Sequence, residues 1–145
     1  HKSVALLFLS THITPPHLIC VILHCDTSDI RFNETKNLFN YGFQNFAFKD
    51  IASKGDTVTE ISVHNATEET KSLKLVLADS VSTLINTSDN IEAISPQITL
   101  KDIPSAPIAK NKALGTATYI INDKSYVVNL IAANDVQLST SKTYY

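Results

Sequence analysis

Long apolar runs are missing from this chain. None approaches the roughly 20 residues that a bilayer-spanning helix needs, so no transmembrane helix is expected. Arginine is nearly missing as well. The lone Arg31 and the lysines are scattered, the formal net charge is -2, and no basic stripe forms, so nucleic acid is not an expected partner. Cysteine is confined to Cys20 and Cys25, and glycine to Gly42, Gly55 and Gly115, none of which follows a threonine. No internal repeat or low-complexity segment occurs. What is present suits a folded core: 43% hydrophobic and 18% charged residues over 145 positions. That length implies one domain, or one domain and a piece of a second. The sequence opens at His1 rather than Met, which reads as processing or truncation.

Residues 4–9 (Val4-Ala5-Leu6-Leu7-Phe8-Leu9) imitate a signal-peptide core but are too short, and no small-x-small cleavage site follows. They read as a buried strand or helix turn. Thr14-Pro15-Pro16 then forces an extended break. His17, Cys20, His24 and Cys25 lie close enough together to suggest zinc. The run between them is continuously apolar, however, and so reads as a buried strand whose side chains alternate faces. On such a strand only Cys20 and His24 share a face, whereas tetrahedral zinc needs four converging ligands. Both thiols are expected to be free and buried, with no metal and no cofactor.

A helix is expected next. Ser28 or Asp29 can cap it, Phe32, Thr35, Leu38 and Phe39 recur at spacings of three and four, and Gly42 suits a left-handed stop. Beyond it the period changes from helical to alternating. Residues 57–63, 72–77, 81–85 and 97–100 read as short strands, with Pro96, Pro104 and Pro107 breaking the chain around the last of them. Residues 116–121 and 125–131 read as a hairpin joined by Asn122-Asp123-Lys124. Short strands with no helix between them predict a small antiparallel β-sandwich or barrel.

The junction Arg31-Phe32-Asn33 with Leu38, Tyr41-Gly42-Phe43 and Phe46 resembles that of the D-alanyl-D-alanine carboxypeptidases, the low-molecular-mass penicillin-binding proteins (peptidase family S11). Ala106-Pro107-Ile108-Ala109-Lys110, Leu114-Gly115 and the segment from Leu130 to Val136 are similar to that family's closing pattern, the first of them as a strand. The resemblance covers about residues 17–138. Asn111-Lys112 stands where the family often has Gly, and residues 1–16 match no recognised part of the pattern. The resemblance implies a mainly β fold: a small antiparallel β-sandwich domain preceded by a strand–helix remnant of an α/β transpeptidase-like (β-lactamase-like) domain. Residues 1–44 would then be the C-terminal remnant of a penicillin-binding catalytic domain, 45–138 a C-terminal β-rich domain and 139–145 a tail.

The family's chemistry implies a serine nucleophile with a lysine one helical turn on, an S-x-N motif and a K-T-G strand. Imitations occur here. Ser88-Asp89-Asn90 spells S-D-N, Ser139-Thr140-Ser141-Lys142 spells S-x-x-K, and Lys142-Thr143-Tyr144 overlaps it. The order is inverted, the S-x-x-K lies in a polar tail, and no glycine completes K-T-G, so no catalytic residue is expected. His64 reads as a surface imidazole and Glu68-Glu69 as a solvated turn. Three sequons begin at Asn33, Asn65 and Asn86 but carry no meaning in a bacterial protein.

By resemblance the chain reads as the C-terminal fragment of a serine-type D-Ala-D-Ala carboxypeptidase of peptidoglycan maturation at the extracytoplasmic face of a bacterial membrane. Its β domain would support a missing catalytic domain. The partners implied are that domain, peptidoglycan or cell-wall proteins, and the membrane through a C-terminal anchor, which Tyr144-Tyr145 would begin. The alternatives are a β-sandwich binding module for glycan or protein, with Tyr119 and Tyr126 the only aromatic strand candidates, and a purely structural interaction domain.

Overall fold

The computed structural model describes residues 6–10 and 17–140. The expectations at Val4-Ala5, Thr14-Pro15-Pro16, Ser141-Lys142 and Tyr144-Tyr145 lie outside them. Two compact units emerge, one formed by residues up to Lys49 with Ser82–Asn90, the other by Asp50–Val81 with residues from Ile91 onward. Each sheet is antiparallel wherever its pairing is resolved, in keeping with the mainly β fold expected.

In the first unit β1 (Leu6–Ser10) pairs antiparallel with β2 (Leu18–Ile22), and α1 (Ser28–Asn45) packs on β2. The cap of α1 is Thr27, one residue before the expected Ser28. Its backbone is extended and its hydroxyl accepts from the Ile30 amide at 3.3 Å, relieving one orphan donor of the first turn. Gly42 does not stop the helix. It lies inside it, and the helix closes only when the Phe46 amide bonds the Gly42 carbonyl. The missing side chain is what counts, because a Cβ at Gly42 would stand 2.5 Å from Leu18 Cδ1. The inward face therefore differs from the expected one. Thr35 and Gly42 are buried and Phe39 is half-buried, while Phe32 and Leu38 are exposed. Small residues let helix and strand approach, and the large ones are displaced around the helix.

β3 (Phe46–Ala52) continues directly from α1 and pairs with β6 (Val81–Asn86). Sequence periodicity does not reveal β3, because Lys49-Asp50 interrupts its alternation. The end of β6 is fastened to the end of α1: the Thr87 amide donates to the Asn45 carbonyl at 2.8 Å and its hydroxyl to that of Gln44 at 3.0 Å.

The second unit is built on one five-stranded antiparallel sheet. Its order is β4 (Thr57–Ser62), β5 (Ser72–Leu77), β9 (Lys124–Ala132), β8 (Ala113–Ile121) and β7 (Gln97–Leu100). The alternation works as its period of two demands. Leu73, Leu75 and Leu77 of β5, Leu130 and Ala132 of β9, and Ala117 of β8 are fully buried. The hairpin link has two residues rather than three. Asn122 and Asp123 both take positive φ (49° and 64°), and Ile121 pairs with Lys124, the turn whose twist matches that of the strands. Gly115 sits where the β8 register slips by a bulge. A Cβ there would collide with the Thr99 carbonyl of β7, so only glycine lets the two strands pair at this point.

The Ala106-Pro107-Ile108 segment is irregular rather than a strand, and holds by short bridges. Ala106 donates to the His64 carbonyl at 2.8 Å, and Ile108 and Val136 exchange backbone bonds at 3.0 and 2.8 Å. Ala106, Ile108 and Val136 are buried, which accounts for the small and branched residues at these positions.

Candidate functional site

The serine of Ser88-Asp89-Asn90 is tied up in a turn. Its hydroxyl donates to Asn86 Oδ1 at 2.8 Å, its amide bonds the same oxygen at 3.0 Å, and Asp89 Oδ2 accepts from the Asn86 amide at 3.1 Å. Three polar side chains thus close one exposed turn after β6. A nucleophile needs its hydroxyl aimed at a base; this one is aimed at an amide oxygen. In the tail, Ser139 is exposed and its amide bonds the Asn65 carbonyl at 2.7 Å, while Lys142 lies outside the described residues.

The histidine–cysteine cluster disperses. β2 ends at Ile22, before His24, which takes a φ of 60°. The alternation that would have put Cys20 and His24 on one face therefore stops short. Cys20 is buried, Cys25 is half-buried and both are free thiols, while His17 and His24 are exposed. No group of three or more metal-ligating side chains gathers among the described residues.

His64 is exposed, its backbone bridging to Ser105. Glu68 pairs with Lys71 across one turn, an exposed contact worth little. Tyr119 and Tyr126 stand directly opposite each other on β8 and β9, but on the inward face, Tyr119 being buried and Tyr126 half-buried. Burial, with the negative charge of Asp56, raises the Tyr119 phenol above its ordinary pKa. The pair does not form the exposed aromatic platform a sugar would stack on.

Two surfaces have the character of binding sites. The first is β2. Cys20 and Ile22 are buried, but Ile19, Val21 and Leu23 are 66%, 55% and 63% exposed. An apolar strand expected to be covered on both faces is thus covered on one. Arg31 of the neighbouring helix adds a buried Nε with no acceptor among the described residues, although its terminal nitrogen bonds Ser28 Oγ at 3.2 Å. Farther along the helix, Phe39 and Phe43 stack with ring centroids 6.3 Å apart, and Tyr41 lies edge-on to Phe46 at 6.2 Å. The second surface is a cleft of about 230 Å³ in the β unit, lined by Lys101, Asp102 and Lys112 together with buried Ile108. Sequence periodicity could not disclose it, since its two walls meet only when β7 pairs with β8. No helix of the described residues is long and apolar enough to cross a membrane.

Comparison with known proteins places these features. Residues 46–138 match the family model of the penicillin-binding protein 5 C-terminal domain. Among solved structures, the chain is similar to penicillin binding protein 5 from Haemophilus influenzae, with 26% identity and a TM-score of 0.59 over 92% of this chain and 38% of that one. The D-alanyl-D-alanine carboxypeptidase DacD from Francisella tularensis shares the fold at 16% identity and a TM-score of 0.57, over 93% of this chain and 33% of that one. A peptidoglycan synthesis regulatory factor (PBP3) from Streptococcus pneumoniae does so at 16% identity and a TM-score of 0.56, over 92% of this chain and 39% of that one. The chain thus spans well under half the length of each of these structures.

Proposed function

The chain belongs to the family of the penicillin-binding protein 5 C-terminal domain, and from that premise we propose that it is the C-terminal part of a serine-type D-Ala-D-Ala carboxypeptidase of peptidoglycan maturation. In this reading the strand–helix unit is the last of the catalytic domain, and the five-stranded sheet is a support that holds that domain away from the membrane. The enzyme would work at the extracytoplasmic face, with peptidoglycan or cell-wall proteins and a C-terminal membrane anchor as further partners.

The observation that carries the reading is the combination at the junction. A family match begins at residue 46, immediately after the helix α1 that packs on β2, and β2 with the residue after it exposes Ile19, Val21 and Leu23. Such a face on a catalytic-domain strand is what the rest of a sheet-and-helix domain would cover. The buried Arg31 Nε, which has no acceptor among the described residues, supports it too, since the great majority of buried donors are paired.

The catalytic role is assigned to the missing domain and none to this chain. Incubated with a fluorescent penicillin, the purified 145-residue chain should remain unlabelled, and covalent labelling at any serine would sink the claim of inactivity. The DNA upstream of the His1 codon should encode S-x-x-K, S-x-N and K-T-G in that order; their absence in every frame would end the carboxypeptidase reading. A second reading is a cell-surface binding module for glycan or protein, with the cleft lined by Lys101, Asp102 and Lys112 as its candidate site.

A further inference from the structure

The five-stranded sheet has two edges, and they are built differently. β4 carries the devices that keep an open edge from pairing. Its register slips by a bulge between Thr57 and Thr59, and the carboxylate of Glu60 stands in the strand, accepting the Ser72 hydroxyl. β7 carries none. Gln97-Ile98-Thr99-Leu100 is uncharged, regular along its whole register with β8 and exposed at every residue.

The hydrogen-bond phase shows what this edge offers. The Lys101 amide donates to the Leu114 carbonyl at 3.1 Å, and bonded and non-bonded pairs alternate along an antiparallel ladder. Thr99 and Gln97, opposite Thr116 and Thr118, therefore direct their backbone groups at β8. Ile98 and Leu100 direct theirs at the open side. Their side chains lie opposite Ala117 and Gly115, on the buried face of the sheet, yet remain 41% and 37% exposed. The core face is unfinished at this edge.

We propose that β7 pairs antiparallel with β7 of a second copy of this chain, about a two-fold axis at Thr99. In that register Ile98 of each copy lies opposite Leu100 of the other as a bonded pair, which forms four backbone hydrogen bonds. The unfinished apolar rows of the two copies then cover one another. The segment is self-complementary: with no charge between Gln97 and Leu100, no like charges meet. Pro96 and the Lys101-Asp102 pair limit the contact to four residues. Pairing through β7 leaves a β4 edge at each end of the joined sheet. Because β4 is bulged and charged, growth stops at a closed dimer rather than a fibre.

So small a contact gives a weak association, with a Kd between about 1 µM and 1 mM. Sedimentation equilibrium of the full chain across that range should show a monomer–dimer equilibrium. Ile98→Pro removes an amide that points at the second copy and not at β8, and should raise the Kd at least about tenfold, the factor expected from losing such a bond at an edge. In a Cys25→Ser background, Thr99→Cys should form a disulfide-linked dimer on mild oxidation, since residues facing each other across such an axis lie within disulfide reach. Thr59→Cys on β4 should stay monomeric. The proposal is overturned by a monomer throughout, by a dimer that Ile98→Pro leaves unchanged while folded, or by equal cross-linking at Thr59 and Thr99. If Ile98→Pro fails to fold, the two cysteine variants decide alone.

Discussion

β2 and β5 are both short, apolar strands, and they meet opposite fates. In β5, Leu73, Leu75 and Leu77 are fully buried, and the strand lies between β4 and β9 in a sheet that supplies its own neighbours. In β2, Cys20 and Ile22 are buried against a helix, while Ile19 and Val21 on the other face stand in solvent. Composition alone would make β2 the more deeply buried. The difference teaches that burial is set by what the fold provides as cover: the β unit provides its own, and the strand–helix unit has cover on one side only.

Removing Leu75 should separate the two regions most sharply. Leu75→Ala opens a cavity in a fully buried row, and should cost about 2–5 kcal/mol in urea unfolding. A loss below 1 kcal/mol would mean that the β unit is less complete than β5 suggests. Gly115→Ala comes next. Its methyl would meet the Thr99 carbonyl, backbone that cannot swing aside, and a cost of about 1–3 kcal/mol is expected, read by the same unfolding curve. Smallest is Val21→Lys, on the exposed face of β2. It should change the stability of this chain by no more than about 0.5 kcal/mol. In a longer protein carrying the proposed catalytic domain the same lysine would be buried and its cost should rise severalfold; an unchanged cost there would remove the distinction between the two strands.

Much of this could be read from the letters. Alternation located β4, β5, β6 and β7 to within a residue of their ends, and Asn122-Asp123 marked its turn because only a few residue types accept positive φ at both positions. The parts that stayed hidden depend on partners distant in sequence. β3 was masked by the polar pair Lys49-Asp50. Gly42 was read as a stop because glycine favours left-handed backbone, while its role is steric and depends on Leu18. The S-D-N triplet was set aside on motif order, and the structure adds a local reason in the bonds from Ser88 to Asn86. The cleft and the open edge follow from β7 lying beside β8 at the end of the sheet, and no periodicity specifies a strand's neighbour.

The strand order has a bearing on timing. β9, the last of the five strands in sequence order, is the middle strand of the sheet, between β5 and β8. As the chain is synthesised, β4 and β5 can join as a hairpin, but the leucine row of β5 must wait for Leu130 and Ala132 to arrive beside it. Pairings so distant in sequence form slowly and leave apolar rows open meanwhile. The sheet is thus completed by the last of its five strands, and the β4–β5 and β7–β8 pairs can join only when β9 arrives between them.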